Sequence, residues 1–317
     1  MDQTTKEAIK KIQSFEVQGA TQITHIVLKT LREEGEIQSK KTKVQYLKAL
    51  KSIGVALELA RPTEPLARNA VRFVFHYLEH TAKGKSLAET HQILNKAINL
   101  FTKLLKYQEQ KIAEAGSKLI RRNMHVFTHC HSSTVEEIIL AAFQKKKNFK
   151  LFCTETRPLY QGRITARKLL KKKIDVTMVV DSAADFLISR TSGKELMMDL
   201  IFLGADVVTS GGSIINKIGS FGIAQVARYE KVPLYVATSL LKTDPETFTN
   251  RYVAIEMRDR KEVWPQGPKG LKIINFAFDR VPARFINGIV CEFGVIKPRQ
   301  VASLVQQYYP WIFQPIK

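Results

Sequence analysis

Four short apolar runs in this sequence are each followed at once by polar residues able to do chemistry. The run MHVFTH leads into Thr128-His129-Cys130-His131-Ser132-Ser133-Thr134. Small hydroxyl residues at a helix start cap it and leave free N–H groups, a ready anion site. Cys130 stands where a side chain would project into a crevice. A helix N-terminus and two histidines beside it would lower its thiol pKa and make it a base or nucleophile. A buried structural cysteine with His129 and His131 as ordinary neighbours fits the same residues. A His-Cys-His metal site does not suit a strand, whose successive side chains point to opposite faces.

The other clusters are Thr154-Glu155-Thr156-Arg157-Pro158 with Tyr160-Gln161-Gly162-Arg163, then Asp181-Ser182-Ala183-Ala184, then Gly204-Ala205-Asp206. After the last come Gly211-Gly212-Ser213 and Asn216-Lys217-Ile218-Gly219. A strand-end acid can exchange protons with a substrate oxygen, though it serves equally as a loop anchor. A Gly-rich loop feeding a helix can cradle a phosphate, and Lys217 adds charge. The loop is not a Walker sequence. What counts is the coincidence of these clusters at successive run ends. Gln18-Gly19-Ala20-Thr21 and Ala60-Arg61-Pro62-Thr63 read from pattern alone as turns.

The elements that would position these residues follow from periodicity. Apolar residues recur at helical spacing around 22–33, around 42–58 and from 86 to 120, with Leu87, Ile93, Leu94, Ala97, Ile98, Phe101, Leu104 and Leu105 forming one stripe. From about residue 121, β-rich runs (124–129, 149–155, 174–181, 205–210, 232–239) alternate with helical stretches at 134–147, 162–172, 192–201 and 216–230. LKIINFAF and INGIVCEF add later strand-like runs. The pattern predicts an α/β chain: a helical domain over 1–120, then a Rossmann-like domain over 121–317, its mostly parallel sheet covered by helices on both faces. Ligands of such sheets bind beyond the carboxyl ends of the strands, where the clusters lie.

The chain of 317 residues is long enough for a sizeable core. Its formal charge is +21, with 20 basic against 12 acidic residues in 1–120 and 30 against 17 thereafter. The excess is spread along the chain and suits anionic ligands: nucleic acid, nucleotides or phosphorylated metabolites. Charge is the sole argument for nucleic acid, because no stacking motif or zinc module accompanies it. Three widely spaced cysteines without a C-x-x-C argue against a disulfide framework or a zinc ribbon. No apolar run approaches the about 20 residues of a membrane span. The polar start MDQTTKEAIKKIQSF lacks a secretory core, so a cytoplasmic protein is expected.

Together, THCHS, TETRPLYQGRITA, VVDSAA, GADVVT…INKIGS, IEMRD and NFAFDRVP resemble, in order and spacing, one superfamily. It holds the regulatory subunits of translation initiation factor 2B, methylthioribose-1-phosphate isomerase and archaeal ribose-1,5-bisphosphate isomerase. The likeness runs from about residue 15 to 300 and is greatest to the last of these. It implies a helical domain before a Rossmann-like one, assembly as a homo-oligomer (dimer or hexamer), and conversion of a cyclic aldose 1-phosphate to an open ketose 1-phosphate. No cofactor, nucleotide or metal takes part. Carried over by motif, Cys130 is the proton acceptor and Asp206 the proton donor. Arg61, Gln161, Asn216, Lys217 and Lys242 hold substrate, with Gln18, Gly19, Ala20, Thr21, Ser132, Ser133 and Thr134 supplying further contacts.

Three positions depart from the isomerase pattern. Gln18 replaces an Arg, Gly211 an Asn, and Ser133 a Lys. Two lost cations suit a substrate with one phosphate, as in methylthioribose-1-phosphate isomerase, or a subunit that binds initiation factor 2. Initiation-factor relatives commonly lose the Cys and Asp pair, and both remain here, which favours an enzyme acting on ribose 1,5-bisphosphate.

Overall fold

The computed structural model describes residues 2–17, 19–39 and 42–316. The chain divides into two compact units: Met1–Tyr107 with Leu241–Pro245 and Ser303–Lys317, and Gln108–Leu240 with Glu246–Ala302.

The first unit is helical. It holds α1 (Gln3–Gln13), α2 (Ala20–Gln38), α3 (Lys43–Glu58), α4 (Pro65–Thr81) and the start of α5 (Leu87–Leu119). Local chemistry sets the helix starts. Thr42 and Gln45 form a reciprocal capping box ahead of α3, and Pro65 opens α4 at the position where its missing N–H costs nothing. Ile23, Val27 and Leu31 on α2, Leu50 and Leu57 on α3, and Leu66, Ala70 and Val74 on α4 are buried at three- and four-residue spacing, so the stripes face a common core. The later segments of this unit tie in by hydrogen bonds: Asn69 donates to the carbonyls of Leu241 and Thr243, and Arg72 to that of Ile312.

The second unit runs β1 (Met124–His129), α6 (Ser133–Gln144), β2 (Phe149–Thr154), α7 (Gln161–Lys171), β3 (Val176–Val179), α8 (Ala184–Ile188), β4 (Leu200–Leu203), β5 (Val207–Val208) and β6 (Ile214–Lys217). It continues with α9 (Ser220–Glu230), β7 (Leu234–Ala237), α10 (Arg260–Val263), β8 (Phe278–Val281), β9 (Gly288–Cys291), β10 (Gly294–Ile296) and the start of α11 (Val301–Tyr308). The main sheet has the order β10-β9-β7-β4-β1-β2-β3, parallel except for β10 against β9. Neighbours along a strand, such as Val126 and Phe127 or Leu200 and Ile201, are all buried, so both faces are covered. One face packs Val126, Leu151 and Phe202 against Val135, Ile138 and Ile139 of α6 and Ile112 of α5.

Three expectations need correction. The stretch 192–201, expected to be helical, instead leads into β4 at the centre of the sheet. A strand buried on both faces reads as a plain apolar run, here LIFL, which periodicity cannot tell from a buried helix. Val207–Val208 leaves the main sheet and joins a small antiparallel sheet of order β5-β6-β8. The helix expected from 216 starts at Ser220, because Ile214–Lys217 is the middle strand of that small sheet.

Candidate active site

The site in the second unit is built at the carboxyl ends of β1, β2, β3 and β4 and at the end of β6. Cys130 follows β1 with φ +68°, a left-handed conformation that side chains rarely take. Two hydrogen bonds hold it. Its amide donates to Thr156 Oγ1 at 3.0 Å, and its carbonyl accepts from Thr165 Oγ1 at 3.3 Å. Thr156 is itself fixed by Asp181, whose carboxylate accepts from the amides of Thr156 at 2.8 Å and Arg157 at 2.6 Å. Asp181 is thus the loop anchor that its strand-end position allowed.

A directed chain runs beneath Cys130. His129 Nε2 lies 2.8 Å from the carbonyl of Ile218, which can only accept. His129 is therefore the Nε2–H tautomer, and Nδ1 accepts from Thr154 Oγ1 at 2.7 Å. Thr154 in turn accepts from Thr156 at 3.1 Å, and Thr156 from the Cys130 amide. Burial holds His129 below its usual pKa, reinforced by Lys217 and opposed by the Ile218 bond and Asp181. His131 bonds to Thr165 Oγ1 at 3.0 Å and is also held low by burial. The two histidines thus serve different partners and carry no charge at neutral pH.

The Cys130 thiol is pushed up to about 11, chiefly by burial. Lys217 pulls it down; Asp206 and Asp181 push it up. The expectation of a lowered thiol pKa is therefore overturned: neutral histidines offer nothing against the desolvation.

Close packing brings further members in. A Cβ added at Gly204 would fall 2.8 Å from Ser132 Oγ and 3.7 Å from Asn216 Oδ1, so both side chains approach this glycine. Ser132 caps α6 through the Val135 amide, and Ser133 and Thr134 form the first turn of α6, half-buried. Asn216 donates to Ser220 Oγ at 2.8 Å, which fixes it at the turn into α9. Lys217 Nζ lies 4.9 Å from the Phe278 ring centre. Asp206 is half-buried, its amide bonded to the Ile215 carbonyl. Gln161 opens α7, where Gly162 passes so close to β2 that a Cβ would meet the Thr154 carbonyl oxygen at 1.8 Å.

The remaining residues singled out from the sequence lie in the first unit. Gly19 precedes α2 with φ +88°, Ala20 starts the helix and Thr21 is half-buried. The Arg61 guanidinium stacks 4.8 Å over the Phe15 ring and lies 3.5 Å from Glu64. Lys242 falls in the short Leu241–Pro245 segment. Gln18 lies outside the described residues.

Sequence reasoning missed Thr154 and Thr156 as members of the chain, His129 as its core, and Asp279. Asp279 Oδ2 accepts from the amides of Gly219 and Phe221 at the start of α9, and burial raises its pKa to about 6. Its place in β8 opposite Asn216 comes from strand pairing alone, which no local pattern announces.

Residues 16–298 match the Initiation factor 2 subunit family. The ribose 1,5-bisphosphate isomerase of Methanocaldococcus jannaschii is 33% identical over 97% of this chain and 96% of its own length. A methylthioribose-1-phosphate isomerase of Carboxydothermus hydrogenoformans is 33% identical over 78% of this chain and 75% of its own. Among solved structures, the translation initiation factor eIF-2B of Pyrococcus horikoshii OT3 superposes with a TM-score of 0.80 at 23% identity, covering 95% of this chain and 99% of that one. The 5-methylthioribose 1-phosphate isomerase of the same organism gives 0.78 at 22% identity, covering 96% of this chain and 87% of that one. At that identity the structural likeness speaks for the fold, and the family match spans most of the chain. The chain belongs to the Initiation factor 2 subunit family.

Proposed function

We propose that this protein is an aldose–ketose isomerase that converts ribose 1,5-bisphosphate to ribulose 1,5-bisphosphate. The observation that carries the reading is Cys130, held in a left-handed turn at the tip of β1, with Ser132 and Asn216 close to Gly204 at the tip of the neighbouring β4. The near full-length likeness to chains named ribose 1,5-bisphosphate isomerase supports this choice of substrate.

A phosphate on the anomeric oxygen blocks spontaneous ring opening, so the ring oxygen needs a proton. In this reading Asp206 supplies it as the bond from C1 to the ring oxygen breaks, leaving an oxocarbenium at C1. Cys130, through the small thiolate fraction that a pKa near 11 leaves at neutral pH, takes the proton from C2, and the electron pair forms an enol between C1 and C2. The thiol returns a proton to C1. The C2 hydroxyl gives its proton to the Asp206 carboxylate and becomes the ketone, which restores both groups. None of these steps calls for a nucleotide or a metal. Lys217 and the N–H groups at the α6 start hold phosphate. The protein acts as a homo-oligomer, dimer or hexamer, in the cytoplasm.

The reaction of ribose 1,5-bisphosphate, followed by NMR with the wild type, Cys130→Ser and Asp206→Asn, tests the assignment. Turnover by the wild type and a loss of at least about 100-fold in each variant is expected. Equal turnover in all three removes the assigned roles.

Ser133 and Gln18, which take the place of cations, favour a second reading in which methylthioribose 1-phosphate is the substrate. Comparison of kcat/KM on the two sugars decides between them.

A further inference from the structure

The opposite end of the same sheet carries a second feature, independent of the isomerase reading. Register pairs Met124 with Phe149 and Leu151 with Val176, so the turns entering β1, β2 and β3 lie level along the amino ends of neighbouring strands. Cys130 follows the other end of β1. Residues 118–123, 145–150 and 171–173 flank these turns and contain ten Lys or Arg and no Asp or Glu. A charge that looks dispersed along the chain is thus gathered by the fold. Strands about 4.8 Å apart place the three turns within about 10 Å of one another.

Internal bonding uses only part of this charge. Lys147 donates to the carbonyls of Ser117 and Ile120 at 2.7 and 2.6 Å, closing the end of α5, and Lys145 donates to Ser117 Oγ at 3.0 Å. Lys118 pairs with Glu114. Such lysines complement helix carboxyl ends and need no other explanation. Arg121, Arg122, Lys146, Lys150 and Lys171 to Lys173 remain exposed, and none forms an ion pair among the described residues. The acids nearby are few: Asp175 is exposed in the third turn, and Asp199 is engaged by the His125 amide at 2.8 Å.

We propose that this edge is a binding surface for the phosphate backbone of nucleic acid, without sequence preference. Seven long cationic side chains on adjacent turns suit a row of phosphates. Asn123 and Asn148, exposed between them, add neutral donors. The one aromatic residue of the three turns, Phe149, is buried, so the surface offers no ring on which bases could stack. An anionic bilayer is the other polyanion to test, because Phe143 and Leu170 nearby are 39% and 54% exposed.

The test is fluorescence anisotropy of the full chain with a labelled duplex of about 20 base pairs across 50–200 mM salt. Wild type is compared with Lys146→Glu/Lys172→Glu/Lys173→Glu and with Lys6→Glu/Lys10→Glu/Lys48→Glu, a control of equal charge change on exposed residues of the first unit. The edge triple should bind at least about tenfold more weakly than the control triple. The slope of log affinity against log salt should be shallower by about 2 to 3, at near one charge per phosphate contact. Equal losses in the two triples would reduce the effect to net charge and overturn the proposal. So would absence of duplex binding by the wild type at 100 mM salt, or binding confined to vesicles with one-third phosphatidylserine. Unchanged thermal midpoints in both triples exclude misfolding, and sugar-phosphate turnover is expected to stay at the wild-type rate whether or not duplex binding is lost.

Discussion

Cys130 combines a left-handed backbone with an amide that donates to Thr156, and the chain through Thr154 and His129 carries that restraint to the Ile218 carbonyl. The order of donors and acceptors leaves room for neutral imidazole alone. A proton on Nδ1 would turn an acceptor into a donor and leave a buried hydroxyl without a partner. Nitrogen-15 NMR of the imidazoles should show His129 as the Nε2–H tautomer at pH 6.5. Because its folded pKa lies below the ordinary value, the stability it contributes is present above pH about 6.5 and is lost as pH falls through the folded pKa. Thr156→Val should cost about 1–3 kcal/mol by stranding the Cys130 amide, and Thr156→Ser should restore most of it; urea denaturation measures both. The thiol itself makes a second prediction. With its pKa near 11, alkylation of Cys130 by iodoacetamide should speed up about tenfold per pH unit through the neutral range, the buried Cys153 and Cys291 staying unmodified. A rate already level at pH 8 would contradict the burial argument.

Elements meet the site through close approaches. Gly162 lets α7 run against β2, and Gly162→Ala should destabilise by more than about 3 kcal/mol, since backbone cannot yield to the added carbon. The start of α9 depends on Asp279. Its raised pKa means that the stability it contributes is full below pH 3.8 and is lost as pH rises through about 6. Asp279→Asn keeps an acceptor for the Gly219 and Phe221 amides without the buried charge. Its stability relative to wild type should rise by roughly 1–3 kcal/mol between pH 4 and pH 7, read by thermal unfolding across that range. A difference independent of pH would show that the carboxyl is as well solvated in the fold as outside it. Most helices of the first unit were legible because their stripes repeat over many turns, and α2, α3 and α5 fall where periodicity puts them. β4 was not, because four apolar residues have no period.

At the scale of the molecule, charge governs association. Copies carrying +21 repel one another, so the proposed homo-oligomer should tighten as salt rises from 50 to 300 mM, whereas duplex binding at the basic edge should weaken. Light scattering at each salt concentration measures the first. A mass of 36.0 kDa at every salt would show that the chain works as a monomer.

The sequence by itself determined the fold class, the helical first part, most strand positions and the residue types able to move protons and hold phosphate, because these depend on neighbours along the chain. It also held the family likeness, through motifs spread from one end to the other. Tertiary structure decided what depends on neighbours across space. It turned LIFL into the central strand, moved Leu241–Pro245 and Ser303–Lys317 to the helical unit, raised the Cys130 thiol rather than lowering it, and gathered scattered lysines onto one edge. Desolvation, strand register and charge proximity are properties of the packed chain, and no local pattern contains them.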